Sequence, residues 1–219
     1  KIISMNVISL QGSVFKRGDI FHWVKQNVSI VCLQETHITK NDEIYWAAEW
    51  GYKCIFSHCS SNSAGVAIFF RNTFEFVIHR ERCDSQGRFI ILDITINGNR
   101  ITLVNLYDFN EDNLSFFRKL KEVILFIENS SIIMCEDWNT VQDLDLDTYN
   151  ILYDKHQQSR AVIQDLKNEL ELIDPWRNLN QDFRMYTWRQ KSPLKRSRLY
   201  YFLVSEDIHL ITVDVCILP

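Results

Sequence analysis

Apolar residues recur along this chain with two periods, and each change of period marks a change of element. Residues 1–7 alternate as a half-buried strand does and deliver Asn6 near the strand end. Over residues 17–27, Ile20, Trp23 and Val24 follow the i, i+3, i+4 spacing of an amphipathic helix. Residues 29–34 are a short apolar run, the mark of a strand covered on both faces, and Glu35 stands at its C-terminal edge. Thr39 with Asp42 three residues on reads as a capping box, which predicts a helix to about Glu49 with Gly51 as its stop. Residues 57–63 form a polar loop and 64–70 an apolar strand. Residues 74–79, 88–96 and 100–107 then alternate like antiparallel strands, with Asn97-Gly98 as a two-residue hairpin turn.

The second half begins with a helical face over residues 110–128, made by Leu114, Phe117, Leu120, Ile124 and Ile127. A buried strand follows at 131–135. Residues 142–156 are polar and loop-like, and 158–172 are helical, with Val162, Leu166 and Leu170 in register and Asp174-Pro175 ending the helix. Residues 183–188 and 198–204 read as strands bracketing a basic loop, and 209–218 as one more strand. No repeat or linker divides the chain. Grouped strands with helices between them predict one domain over 1–219, an α/β sandwich of two stacked mixed sheets with helices outside.

Composition narrows the class. A chain of 219 residues with 46% hydrophobic residues is long enough for one sizeable core. A formal net charge of -4 gives no general basic field, so any nucleic-acid contact must come from a local patch. No apolar run approaches the length of a membrane span, and the expected setting is intracellular, with no membrane partner. Of the six cysteines, Cys32, Cys135 and Cys216 lie in strand-like apolar runs and read as reduced core thiols. Cys54, His58 and Cys59 lack a second pair at zinc spacing. Lys1 and Pro219 look like cuts through a longer reading frame, with truncation at the C-terminus.

The candidate chemistry sits at strand ends. Residues 132–139, Ile-Ile-Met-Cys-Glu-Asp-Trp-Asn, read as a buried strand that runs out into polar residues, where period-two geometry turns Asp137 and Asn139 to one side. A carboxylate there can orient a water or help hold a hard cation, and an amide can donate to a phosphate oxygen. The bland alternative is an Asx-rich turn after a core strand. Glu35 is a second carboxylate in a similar context, with a solvated strand-end charge as its alternative. Asn6 and Tyr107 end two further strands. Oxygen ligands without a Cys or His pair favour Mg²⁺ or Mn²⁺ over zinc. Arg189, Lys191, Lys195, Arg196 and Arg198 make the densest basic stretch, suited to DNA phosphates or simply to solvent. Trp138, Tyr186 and Trp188 are candidates for stacking on a base or for packing. Neither a Gly-x-Ser-x-Gly elbow nor a Gly-rich Lys-Ser/Thr phosphate loop is present.

In order, the motifs are Met5-Asn6-Val7, Leu33-Gln34-Glu35-Thr36-His37, Ser63-Ala64-Gly65-Val66-Ala67-Ile68, Leu106-Tyr107, Asp137-Trp138-Asn139, Tyr186-Thr187-Trp188 and Arg198-Leu199-Tyr200-Tyr201-Phe202. Together they resemble the apurinic-type endonuclease domain of LINE-type (non-LTR) retrotransposons, within the endonuclease/exonuclease/phosphatase superfamily. The resemblance spans nearly the whole chain. It implies a four-layer α/β/β/α sandwich with two mixed sheets, DNase I-like. It also implies Mg²⁺-dependent (or Mn²⁺-dependent) nicking of double-stranded DNA to prime a reverse transcriptase domain of the same polyprotein, in the nucleus when the target is chromosomal. By the same resemblance Glu35 is the metal ligand and Asn6 helps set metal and phosphate. Tyr107 contacts the scissile phosphate, Asp137 positions or activates the attacking water, and Asn139 holds phosphate oxygens. Thr187 and Ser197 match positions near the DNA.

Several residues depart from the pattern. Tyr200 stands where the family has an Asp that orients a late histidine, and the late Ser-Asp-His motif is absent before Pro219. His209 is not in that context. Glu136 replaces a small glycine, Ile8-Ser9 stands where Asn-Gly is common, and Asp108-Phe109 where Ala-Pro is common. Glu136 is expected to point away from Asp137 into tight packing, a hazard to folding. The expectation is a nuclease with impaired catalysis. The alternatives are a non-catalytic DNA-binding or interaction module on the same fold and, less favoured, a small-molecule phosphatase relative.

Overall fold

The alternation of residues 1–7 and the apolar run at 29–34 become parallel neighbours, β1 (Ile2–Asn6) and β2 (Ile30–Gln34), joined by helix α1 (Val14–Asn27). The computed structural model describes residues 1–10, 13–59, 63–73 and 75–218. Phe74, the expected start of a strand, residues 60–62 of the expected polar loop, and Pro219 lie outside them. After α2 (Glu43–Trp50), strands β3 (Cys54–Ser57) and β4 (Val66–Phe70) complete a four-stranded sheet in the order β1-β2-β4-β3. Gly51 ends α2 in the left-handed conformation. Of the expected capping box the return bond forms, from Thr39 N–H to the Asp42 carboxylate, but the Thr39 hydroxyl also donates to that carboxylate, Asp42 N–H goes to the Thr39 carbonyl, and Asp42 itself is the N-cap of α2.

A meander of β5 (Phe76–Cys83), β6 (Phe89–Ile96) and β7 (Asn99–Tyr107) starts the second sheet. Its turn is Asn97-Gly98, both at positive φ, with Ile96 paired to Asn99. Helix α3 (Leu114–Phe126) then leads to β8 (Ile132–Asp137), parallel to β7. The chain continues through α4 (Leu144–Asp147), β9 (Thr148–Tyr149), α5 (Gln157–Glu169), β10 (Leu172–Ile173), α6 (Pro175–Leu179), β11 (Trp188–Gln190), β12 (Lys195–Ser197), β13 (Tyr200–Ser205) and α7 (Glu206–Ile211). The large sheet has the order β10-β13-β8-β7-β6-β5, and β11-β12-β9 form a small third sheet.

Side-chain alternation sorts the core into three layers. Ile30, Cys32, Ile68 and Phe70 of the small sheet meet Ile90, Leu92, Leu103 and Cys135 of the large one. Val31, Leu33 and Phe69 face Phe21, Val24, Trp46 and Trp50 of α1 and α2. Val104, Leu106, Met134 and Leu203 face Phe117, Leu120, Ile163 and Leu166 of α3 and α5. The result is the expected α/β/β/α sandwich.

Some elements differ from expectation. Helix α1 buries Phe21 and Val24 while Trp23 is exposed, and α3 buries Phe116 while Leu114 turns outward. Residues 142–156 hold α4 and β9, because the buried Asp147 is drawn inward by Arg177 and Arg198. Helix α5 ends at Glu169 and β10 follows, so Asp174-Pro175 does not close it and instead opens α6: the Asp174 side chain accepts from Arg177 N–H, and Pro175 sits where no N–H is needed. The strand expected at 183–188 is confined to β11, and the basic loop proves to be the β11–β12 hairpin. Residues 209–218 are not a strand. Asp207, bonded by Ser131 and Ser205, fixes the first turn of α7, and β10 already covers that edge of the sheet. Val213 and Cys216 are left exposed, so Cys216 is no core thiol.

One polar contact ties the two sheets together. Gln34 of β2 donates to Asn105 Oδ1 of β7 at 2.7 Å and to Ser4 Oγ at 3.0 Å. Asn105 in turn donates to the Leu33 and Ala67 carbonyls at 3.1 and 2.9 Å. Both amides are fully buried. Asn105→Ala removes three of these bonds and strands their partners without water, so we expect a loss of roughly 3 kcal/mol in urea denaturation.

Candidate active site

The inward-facing series of each strand runs past the core and ends in a polar side chain. Ile2, Ser4, Asn6 on β1, Cys32, Gln34 on β2, Leu103, Asn105, Tyr107 on β7 and Ile133, Cys135, Asp137 on β8 all follow this rule, with Glu35 just after β2. The strand ends therefore meet between the sheets. Asn6 Nδ2 donates to Asp137 Oδ2 at 2.6 Å, and the Tyr107 hydroxyl donates to Glu35 Oε1. Asp137 Oδ1 accepts Asn139 N–H at 3.1 Å, and Asn139 Nδ2 donates to the Asp108 carbonyl at 2.9 Å. The five expected site residues thus fall into two hydrogen-bonded sets, Asn6–Asp137–Asn139 and Tyr107–Glu35, set side by side by the pairing of Tyr107 with Asp137.

Backbone in the left-handed region holds the rim. Glu35, His37, Ala64 and Asn139 all have positive φ without being glycine, a strain that surrounding bonds must hold. Thr36 N–H and His37 N–H donate to the carbonyls of Gly65 and Ala64, each at 3.0 Å. Gly65 allows this approach, since a Cβ there would lie 2.6 Å from Thr36 Oγ1. The Ser63-Ala64-Gly65 motif is therefore a strut for the turn that carries Glu35.

Burial dominates the electrostatics. It raises Asp137 to about 7, helped by the Glu35 charge and opposed by the bonds from Asn6 and Asn139. Asp108 is pushed up to about 8 by burial. Burial also raises the Tyr107 phenol, reinforced by Glu35. Neither Glu35 nor Asp137 forms an ion pair among the described residues. This unneutralised, all-oxygen donor set fits a hard divalent cation of the Mg²⁺ or Mn²⁺ kind, which keeps several waters and needs only one or two carboxylates. Among the described residues no group of three or more His, Cys, Asp or Glu is placed to hold a metal.

Tyr200 is the cross-strand partner of Asp137 and shares its face; burial raises its phenol, followed by the charges of Asp137 and Glu35. The family's carboxylate position is thus occupied by a protonated hydroxyl. His209 follows the opposite end of β13, with its ring against Asn178. Thr187 Oγ1 accepts the N–H groups of Leu199 and Tyr200 at 2.9 and 3.0 Å, so it braces the strand beside the site. Ser197 is buried in β12. Arg189 and Arg196 are paired across the hairpin, next to Lys195, and with Arg184, Tyr186 and Trp188 they line a groove of about 340 Å³. Trp138 is core, stacked on Tyr201. Arg198 leaves the basic surface altogether. It is 1% exposed, bonded to Asp147 at 2.7 Å and to Asp174 at 2.6 Å, and fastens the base of the hairpin to the sandwich. Sequence reading missed Gln34, Asn105 and Asp147; the available signal was a polar side chain on the inner phase of an apolar strand or across from an arginine.

Two mixed sheets face to face, with helices outside and acid–amide pairs between their strand ends, define an α/β/β/α sandwich. The chain belongs to the Endonuclease/Exonuclease/phosphatase family, which it matches over residues 9–219. It is 26% identical over 192 residues to the Transposon TX1 uncharacterized 149 kDa protein of Xenopus laevis, covering 85% of this chain but spanning only 14% of that protein. Among solved structures it resembles AP endonuclease LMAP from Leishmania major, with TM-score 0.81 and 19% identity over 97% of this chain and 81% of that one. It also resembles the endonuclease domain of TRAS1, a telomere-specific non-LTR retrotransposon, with TM-score 0.63 and 16% identity over 94% of this chain and 85% of that one. No helix of the described residues is long and apolar enough to cross a membrane.

Glu136 takes the opposite phase from Asp137 and lies fully buried in the outer layer, with neither carboxyl oxygen hydrogen-bonded. Burial, then Asp108, raises it well above 4.5. Glu136, Asp137 and Asp108 all hold protons more tightly folded than unfolded. Their stabilising share is therefore full below the unfolded values of 3.8 and 4.5 and is lost as pH rises through the folded ones, near 7 and 8 for Asp137 and Asp108. His156, lowered by burial below 6.5, pulls the other way. We expect metal-free protein to lose thermal stability between about pH 5 and pH 8, and Glu136→Met to gain about 1–3 kcal/mol at the upper end with a flatter pH profile. A melting temperature that is flat over this range in the parent chain would contradict the assignment.

Proposed function

We propose that this chain is the DNA-nicking domain of a retrotransposon polyprotein, dependent on Mg²⁺ or Mn²⁺ and working with impaired catalysis. The observation that carries this reading is the meeting of the Asn6–Asp137 and Tyr107–Glu35 hydrogen-bonded pairs at the strand ends of both sheets. Glu35 and the Asn6 amide oxygen would hold the cation, which when bound supplies positive charge to phosphate oxygens. Asn6 fixes the Asp137 carboxyl so that, once ionised, it can take a proton from an attacking water. Its raised affinity for that proton suits a base working near neutrality. Tyr107 fixes Glu35. Asn139 has spent one amide N–H on the Asp108 carbonyl and has the other for a phosphate oxygen.

Impairment follows from Tyr200. A phenol that stays protonated cannot orient and stabilise a histidinium as a carboxylate does, and a positioned acid or base contributes about 10²–10⁴-fold. The Arg184, Arg189 and Arg196 side chains that line the groove, with Lys195 next to Arg196, would take backbone phosphates; the likeness to a long transposon protein supports a place in a larger polypeptide, in which a reverse transcriptase would be the partner. Work on chromosomal DNA places the domain in the nucleus.

Supercoiled plasmid incubated with the chain and Mg²⁺ should be nicked slowly, at least about 10²-fold below the TRAS1 endonuclease domain assayed alongside. Nicking should rise with pH through about 7 and vanish in Glu35→Ala and Asp137→Asn. Nicking that persists in Glu35→Ala would exclude this site. Duplex DNA affinity should fall with salt, and more weakly once Lys195 and Arg196 are replaced by Gln.

A further inference from the structure

On the far side of the site from the hairpin lies a second groove, of about 190 Å³, lined by Ser63, Ala64, Ser85, Gln86, Arg88 and Phe109. In the sheet order β13-β8-β7-β6 the hairpin adjoins β13 and Arg88 precedes β6, so the two grooves flank Asp137 from opposite sides. The groove reaches the site through the Ala64 carbonyl, which holds His37 N–H, and through Tyr107, whose ring lies 4.9 Å from the Arg88 guanidinium carbon.

Arg88 is the unusual member. Its guanidinium carbon is 4.0 Å from the centre of the Phe109 ring, and Nη1 donates to the Asp108 carbonyl at 3.1 Å. It forms no ion pair among the described residues, unlike Arg17, Arg100, Arg160, Arg177 and Arg198. Burial raises the Asp108 carboxyl to about 8, so at neutral pH it does little to cancel the cation. The seat is rigid. Asp84 accepts the N–H groups of Gln86 and Arg88, and Ser57 Oγ donates to the Asp84 carbonyl at 2.6 Å. A Cβ on Gly87 would lie 2.8 Å from the His58 carbonyl oxygen, and Gly87 accepts the N–H of Gly65.

We propose that Arg88, laid flat on Phe109, seats a second backbone phosphate of the DNA, on the flank of the scissile position opposite the hairpin. The inference rests on the DNA reading above. A planar guanidinium already ordered against two rings loses little freedom on gripping a phosphate with two N–H groups, and Ser85 and Gln86 line the same groove. Phe109 supplies the platform.

The test measures duplex affinity by fluorescence anisotropy in EDTA over a salt series. Arg88→Gln should weaken binding about tenfold and lower the salt slope by about one, Arg88→Lys should keep the slope, and Phe109→Leu should weaken binding about threefold without changing it. Because Arg88 also braces Asp108, a probe that leaves the protein unaltered is added: duplexes carrying one neutral methylphosphonate at successive positions. One position near the nick should weaken wild-type binding and have no further effect on Arg88→Gln. Wild-type slope and affinity in a folded Arg88→Gln, or no such position in the scan, overturns the subsite. If Lys195→Gln/Arg196→Gln weakens binding in that case, the DNA reading stands alone; if the wild-type chain binds no duplex at all, both fall.

Discussion

The two sheets are held in register by a pair of buried amides. Gln34 ends β2 and Asn105 sits one inward-facing position before the end of β7; the two amides bond across the sheet interface, Asn105 reaches on to the Leu33 and Ala67 carbonyls, and Gln34 also bonds Ser4 in its own sheet. Apolar packing between sheets is non-directional and tolerates sliding by a fraction of a residue. Directed hydrogen bonds in a dry interior do not, because each displaced donor or acceptor is stranded without water. The consequence appears one position further along each strand: Asn6 finds Asp137 at 2.6 Å and Tyr107 finds Glu35, although the partners belong to different sheets. Site geometry is thus inherited from the interface beneath it.

The same phase rule that builds the site also loads the outer layer with a misplaced acid. Asp137 faces inward, so Glu136 must face α3 and α5, among Trp138, Tyr201 and Leu106. With Asp108 nearby, three carboxyls at the end of β8 hold raised affinities for protons by burial. Asp137 benefits, since a base that titrates near neutrality is useful. Glu136 brings only the cost of desolvation, and a smaller side chain at this position would leave the layer apolar.

Around this centre the positive charges divide into two kinds. Arg198 and Arg177 are consumed internally, locked to Asp147 and Asp174, and their work is to carry the hairpin. Arg189, Lys195 and Arg196 on the hairpin, and Arg88 on the opposite flank, keep their charge for the outside. A chain with net charge -4 can therefore present a local positive frame around an acidic centre.

The strands and major helices were legible because their periodicities are long and consistent, and the site residues because they fall at strand ends. Grouping of strands and helices predicted two stacked mixed sheets with helices outside, and the resemblance added the four-layer α/β/β/α class. Local pattern failed where a short element is set by a distant partner: α4 and β9 exist because Asp147 meets Arg177 and Arg198, and α7 replaces a strand because Asp207 is bonded by Ser131 and β10 already pairs with the outer side of β13. Arg198 looked like surface charge for the same reason, its acidic partners lying 51 and 24 residues away. By itself the sequence determined the phase of each strand, and hence which side chains face the interface between sheets. Only the tertiary structure decided which of those side chains meet, since that depends on sheet order and register, and these are settled by contacts between residues remote along the chain.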